Sequence, residues 1–269
     1  MSTVDVLTRN NVTVVGAEQG QVLLLAHGFG CDQQLWRSVV QRLQSTHRIV
    51  LIDHVGSGAS DPRAWDEVKY SSLSGYAADI LDIVRALDLS DVVLVGHSVA
   101  AMIGALAVIA EPDRFAKLVM VTPSPRYLDD GDYRGGFSRA DIDELLASME
   151  LNYLGWSHAM APQIMGNPDR PELGEELEAS FCRTDPAFAR VFARATFLSD
   201  NRDDLGAVTV PTLIIECEHD AIAPRGVGAF VHHQIVGSEL VTLDATGHCP
   251  HVSHPDATAA AISTFAAAP

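Results

Sequence analysis

Val92-Val93-Leu94-Val95-Gly96-His97-Ser98-Val99-Ala100 decides the reading of this chain. Four β-branched or leucine residues in a row have the length and chemistry of a strand buried on both faces. The next twelve residues, Val99–Ala110, are apolar nearly all round and predict a buried helix. Between the two lies Gly96-His97-Ser98-Val99-Ala100, which fits G-x-S-x-[GA]. The pattern alone is weak in a chain rich in Gly and Ala, but a strand before it and a helix after it form the strand–turn–helix setting that exposes a serine nucleophile. Small residues must flank such a turn, and Gly96 and Ala100 meet that need. The competing reading has Ser98 merely capping the helix N-terminus.

Working outward, similar apolar runs recur. Val22–Leu25 leads into His27-Gly28-Phe29-Gly30, Ile49–Ile52 into Asp53-His54-Val55-Gly56, and Leu118–Val121 into Thr122-Pro123. Leu213–Ile215 leads to Glu216–Asp220, and Leu240–Leu243 to Asp244 and the Gly247-His248 turn. Helical patterns lie between them. Ser74–Leu87 gathers Ile80, Leu81, Val84 and Leu87 on one face, Gln33–Leu43 follows the first Gly-rich loop, and Pro224 and Pro255 suit first turns of later helices. Asn11–Val15 and Val22–Leu25, separated by Gly16 to Gly20, predict an antiparallel hairpin. The expectation is an α/β sheet, mostly parallel with an antiparallel start.

The rhythm breaks over 124–201. No strand-like run occurs there, at least three helical patterns do (Arg139–Leu154, Pro171–Cys182, Pro186–Leu198), and the stretch holds nine of the seventeen aromatic residues. An all-helical insert between core segments 1–123 and 202–269 predicts a cap over the strand ends with an apolar cavity beneath. Most of its rings are expected to form its own small core. The pattern leaves open whether Phe137 and Phe197 face the cavity.

A serine hydroxyl needs a base, and the base an orienting acid. His248 follows the last strand and Asp220 the one before it, so both fall with Ser98 at the carboxyl edge of a parallel sheet, in the chain order Ser, Asp, His expected of such a site. Glu218 and His219 are the rivals for the acid and base roles. Two backbone N–H donors would hold an oxyanion: Val99, next to the nucleophile, and Phe29 in the Gly-rich loop. Metal binding by His248, Cys249, His251 and His254 fits no standard zinc spacing, so no metal or other cofactor is expected. Gly56-Ser57-Gly58 lacks the third glycine of a dinucleotide fingerprint.

Bulk properties narrow the classes. The chain has 269 residues, 47% of them hydrophobic, enough for one sizeable core. A formal net charge of −17 argues against nucleic-acid or anionic-membrane partners. No secretory signal or membrane-length apolar run is evident. Four cysteines without CxxC spacing read as free thiols, and a cytoplasmic location is expected.

These motifs also carry a family likeness. His27-Gly28-Phe29-Gly30-Cys31-Asp32-Gln33, Asp53-His54-Val55-Gly56-Ser57-Gly58 and Gly96-His97-Ser98-Val99 resemble the RsbQ-type bacterial hydrolases. So do Asn152-Tyr153-Leu154-Gly155-Trp156, Phe181-Cys182-Arg183-Thr184-Asp185-Pro186 and Gly247-His248-Cys249-Pro250-His251. The likeness covers essentially the whole chain. Plant karrikin and strigolactone receptors, of the same broader group, share the Gly-His-Ser-Val elbow. The resemblance implies an α/β-hydrolase fold with a V-shaped lid of four helices, Ser98, Asp220 and His248 as triad, Phe29 and Val99 as oxyanion donors, and Phe137 and Phe197 lining the pocket. It implies a serine hydrolase of small apolar esters or butenolide-type lactones. The alternative it implies is a ligand-responsive signalling protein with a PAS-domain phosphatase-like partner. One departure is Ala100, where the RsbQ type has Gly and the plant receptors Ser. Dehalogenases and soluble epoxide hydrolases of this fold carry Asp where this chain has Ser98.

Overall fold

A computed structural model describes residues 5–268. Seven strands form one sheet in the order β1-β3-β2-β4-β5-β6-β7. They are β1 (Thr13–Gly16), β2 (Gln21–Ala26), β3 (His47–Leu51), β4 (Val92–His97), β5 (Phe115–Val121), β6 (Thr212–His219) and β7 (Glu239–Thr246). All pairings are parallel except β1 with β3.

The expected hairpin of β1 with β2 does not form. β2 is paired on both sides by parallel neighbours, β3 and β4, and β1 lies beyond β3 at the edge. Leu23, Leu24 and Leu25 are fully buried, whereas β1 alternates half-buried and exposed residues, as an edge strand does. Burial decides the central place, because an apolar run is worth most where both faces are covered.

The helices that cover the faces are α1 (Arg37–Leu43), α2 (Leu73–Ala86), α3 (Val99–Ala110), α4 (Arg139–Leu151), α5 (Tyr153–Met165), α6 (Pro171–Arg183), α7 (Pro186–Phe197), α8 (Arg225–Gln234) and α9 (Pro255–Ala267), besides shorter turns. The period of two along each strand sorts the core into two layers. Leu24, Leu94, Leu118 and Ile214 face Tyr76, Ile80 and Val84 of α2, Met102 and Ile103 of α3, and Val231 of α8. Leu23, Leu25, Val93, Val95, Val119 and Ile215 form the other layer with Trp36, Val39 and Leu43 and with Ala259, Ile262 and Phe265 of α9, which packs beside α1.

Helices α4 to α7 lie in sequence between β5 and β6 and form the lid, α4 packing on α5 and α7, and α5 on α6. The pattern read as one helix over Arg139–Leu154 is two. Asn152, at φ −155° and ψ 86°, leaves helical space and its side chain accepts from the Gly155 N–H at 3.0 Å, so it ends α4 and caps α5. α5 then runs through Pro162 without ending there. The lid's apolar residues, including Ile142, Leu146, Tyr153, Trp156, Leu177 and Phe181, form one cluster with Cys31, Leu35 and Cys249 of the core.

Candidate active site

Ser98 sits at the junction of β4 and α3 with φ 57° and ψ −125°. Such a backbone costs a non-glycine residue on the order of 1–3 kcal/mol and persists only where the surroundings enforce it. They do so here through a bond from the Ser98 N–H to the Val121 carbonyl at 2.8 Å. A Cβ on Gly96 would overlap the Ala100 carbonyl oxygen, so the turn requires glycine there. The Ser98 side chain makes no capping bond to α3. Its hydroxyl is turned instead toward the loops at the carboxyl edge.

There it meets His248. Ser98 Oγ donates to His248 Nε2 at 2.7 Å, and His248 Nδ1 donates to Asp220 Oδ2 at 2.7 Å. This direction of donation places the imidazole proton on Nδ1 and leaves Nε2 as the basic nitrogen facing serine. Asp220 Oδ1 accepts from the Ile222 and Ala223 N–H groups at 2.8 and 3.1 Å, which orients the carboxylate. All three side chains are at least nine-tenths buried. Of the two rivals, Glu218 pairs with Arg225, and His219 is exposed. The loop at Phe29 and the start of α3 at Val99 flank Ser98, and neither backbone N–H has a hydrogen-bond partner among the described residues.

His248 is also held through its main chain. Its carbonyl accepts from His97 Nε2 at 2.9 Å and from Thr122 Oγ1 at 3.0 Å, and its N–H donates to the Ile164 carbonyl of α5 at 2.8 Å. His97 is fully buried. Burial, with His251 and His248 adjacent, holds its pKa well below the ordinary histidine range despite the bond to the His248 carbonyl, so the ring is neutral. His251, packed between Trp36 and His97, is lowered to about 3, burial again being the main cause.

A cavity over Ser98 is lined by Phe29, Tyr127, Leu145, Trp156, Met160, Ile164, Leu177, Phe181 and Phe197, with Cys31 and Cys249. Its volume of about 40 Å³ admits only a few atoms, since one water needs about 10–15 Å³. Phe197 is in its wall. Phe137 is not. Its backbone bridges Tyr127 and Asp129 (Phe137 N–H to Tyr127 carbonyl 3.1 Å, Asp129 N–H to Phe137 carbonyl 2.8 Å), so the neighbouring Tyr127 ring takes the cavity side while Phe137 backs the lid cluster. Phe188 and Phe192 likewise pack away from the cavity, against Trp65 and Tyr76.

Tyr127 is the residue the sequence does not single out. Its hydroxyl lies 3.3 Å from Ser98 Oγ, and burial pushes its pKa up, keeping it a neutral donor. No periodicity marks it, because it lies in an irregular segment before α4. Thr122 and His97 are equally silent in sequence, although His97 sits inside the quoted motif. Among the described residues, no three His, Cys, Asp or Glu side chains group as a metal site.

A buried Ser-His-Asp relay at the carboxyl edge of a mostly parallel sheet, roofed by helices, defines a class of protein. Residues 23–261 match the alpha/beta hydrolase family, and the chain belongs to it. A probable esterase of Oryza sativa subsp. japonica is 40% identical over 248 residues, 92% of each chain. Karrikin insensitive 2 receptor CA of Petunia hybrida is 38% identical over the same length and coverage. Among solved structures, a hydrolase from Oleispira antarctica matches with a TM-score of 0.95 at 40% identity, covering 97% of this chain and 96% of its own.

Proposed function

We propose that this chain is a serine hydrolase of small, largely apolar carboxylic esters or lactones, with residues 124–201 acting as a lid over a core of 1–123 and 202–269. Ser98 attacks the carbonyl carbon as His248 Nε2 takes its proton. Asp220 holds the imidazole in the required tautomer and stabilises the cation that forms. The Phe29 and Val99 N–H groups receive the oxyanion of the tetrahedral intermediate. His248 then gives its proton to the leaving oxygen, and water, activated by the same imidazole, releases the acyl group.

The observation that carries this reading is the pair of 2.7 Å bonds linking Ser98, His248 and Asp220 beneath an apolar cavity. The mostly apolar lining, with no Lys or Arg in it to offset the desolvation of a charged group, favours a small hydrophobic acyl or lactone ring over a charged substrate. Turnover of p-nitrophenyl acetate should fall by about a millionfold in Ser98→Ala, the scale on which removal of such a nucleophile acts. Activity unchanged in that variant removes Ser98 from the mechanism.

A second reading is a ligand-responsive signalling protein: the bond from the His248 N–H to the lid carbonyl of Ile164 couples the site to the lid, and the PAS-domain phosphatase-like partner is what the family resemblance adds. On that reading a butenolide raises the melting temperature of Ser98→Ala as it does that of the unaltered protein. No shift in either counts against it.

A further inference from the structure

The lid does more than cover the cavity: one end of it is bolted to the loop that carries His248. Asn167, in the α5–α6 connection, donates from Nδ2 to the Thr246 carbonyl at 2.8 Å and to the Met165 carbonyl at the end of α5. Its Oδ1 accepts from Arg170 Nη2, and Arg170 Nη1 donates to the Ser253 carbonyl at 2.8 Å. Thr246 and Ser253 flank His248 on either side. Between these anchors the His248 N–H reaches the Ile164 carbonyl at 2.8 Å. Gly247, at φ +95°, makes the close approach possible, since a Cβ there would overlap the Met165 carbonyl.

We infer that Asn167 and Arg170 are positioning residues for the reaction, clamping the His248 loop to the lid so that the imidazole stays within bonding distance of Ser98. The inference rests on His248 being the base. Neither side chain reaches Ser98 or the cavity lining, so neither is a catalytic residue. Their effect runs through the backbone of 246–253. The core side of the loop is held independently, by His97 and Thr122 on the His248 carbonyl. The Gly247 N–H adds a bond to the His219 carbonyl at 2.8 Å, and Asp220 holds the ring itself; the lid side adds a further set of restraints on the backbone that carries the ring. A ligand that displaces α5 to enlarge the cavity also pulls on His248 through these bonds.

Asn167→Asp is nearly isosteric. It keeps the acceptor for Arg170 and sets a carboxylate against the Thr246 and Met165 carbonyls, which repel it. Arg170→Met removes the second anchor and keeps the aliphatic stem. Two rates are measured in the full-length variants: p-nitrophenyl acetate turnover and phosphonylation of Ser98 by a small fluorophosphonate. The expected result is a fall of about tenfold or more in kcat and in the phosphonylation rate, with KM within about twofold, since small misplacements of a reacting group carry penalties of that order. The melting temperature should stay close to that of the unaltered protein. Both variants reacting at the unaltered rate overturns the clamp, as does a loss that only tracks a fall in melting temperature or appears only in KM. His248→Ala separates the two claims. If it retains turnover, the base assignment fails. If it is inactive while Asn167→Asp and Arg170→Met are unimpaired, the clamp alone fails.

Discussion

At the scale of single residues, the proposed mechanism depends on which nitrogen of His248 carries the proton. Asp220 accepts from Nδ1 and so leaves Nε2 free to take the Ser98 proton. Asp220→Asn can present its amide to Nδ1 and favour the wrong tautomer, with Nε2 protonated. A loss of about 10⁴ in kcat follows from the behaviour of such triads. Steady-state kinetics on p-nitrophenyl acetate checks this, and a loss smaller than tenfold would contradict the assigned role. That Ser98, Asp220 and His248 come together is legible in sequence because the strand-to-helix turn and the loops after the last two strands are positions in a chain order. Tyr127 and Thr122 are not. Their place beside Ser98 and the His248 carbonyl comes from irregular backbone, Thr122 at φ 46° among it, for which no spacing rule exists.

Elements tell a similar story with different causes. The buried strands are legible as runs, and α3 as an apolar helix, because burial on both sides leaves no polar positions to interrupt the pattern. The break between α4 and α5 is not, since hydrophobic periodicity continues across Asn152 and only its backbone conformation divides the helix. Asn152→Ala removes the bond to the Gly155 N–H and should destabilise the protein by about 1 kcal/mol, the usual worth of an N-cap. The urea midpoint reads that loss, and faster amide exchange over 153–158 should accompany it. An unchanged midpoint and unchanged exchange would mean that the cap is redundant with lid packing.

For the whole molecule, the relevant quantity is the set of imidazoles the fold keeps neutral. His54, His97 and His251 are fully buried and their pKa values are lowered, chiefly by burial. In the unfolded chain each takes a proton near pH 6.5. Below that pH the unfolded state binds more protons than the native state, so stability is present above about 6.5 and is lost as pH falls toward the native values, about 3 for His251. Each group adds a slope of about 1.4 kcal/mol per pH unit well inside that window. Melting temperature should therefore drop steeply between pH 6.5 and 4.5, and less steeply in a His251→Gln variant that still folds. A flat profile would mean that these rings are protonated in the native state.

What the sequence by itself determined was order: strand, elbow, helix, then an acid and a histidine after the last two strands, with an aromatic-rich helical insert between. Those features are local or periodic, and a local rule can read them. Only the tertiary structure decided what was adjacent. It moved β1 from the expected partner β2 to the edge beside β3, because β2 gains more from two buried neighbours. It turned Phe137 away from the cavity and brought Tyr127 in, and it joined Asn167 and Arg170 of the lid to the loop of His248. Contacts between residues some eighty positions apart leave no mark in either segment's pattern, since each is satisfied by hydrogen bonds to backbone carbonyls that every residue carries.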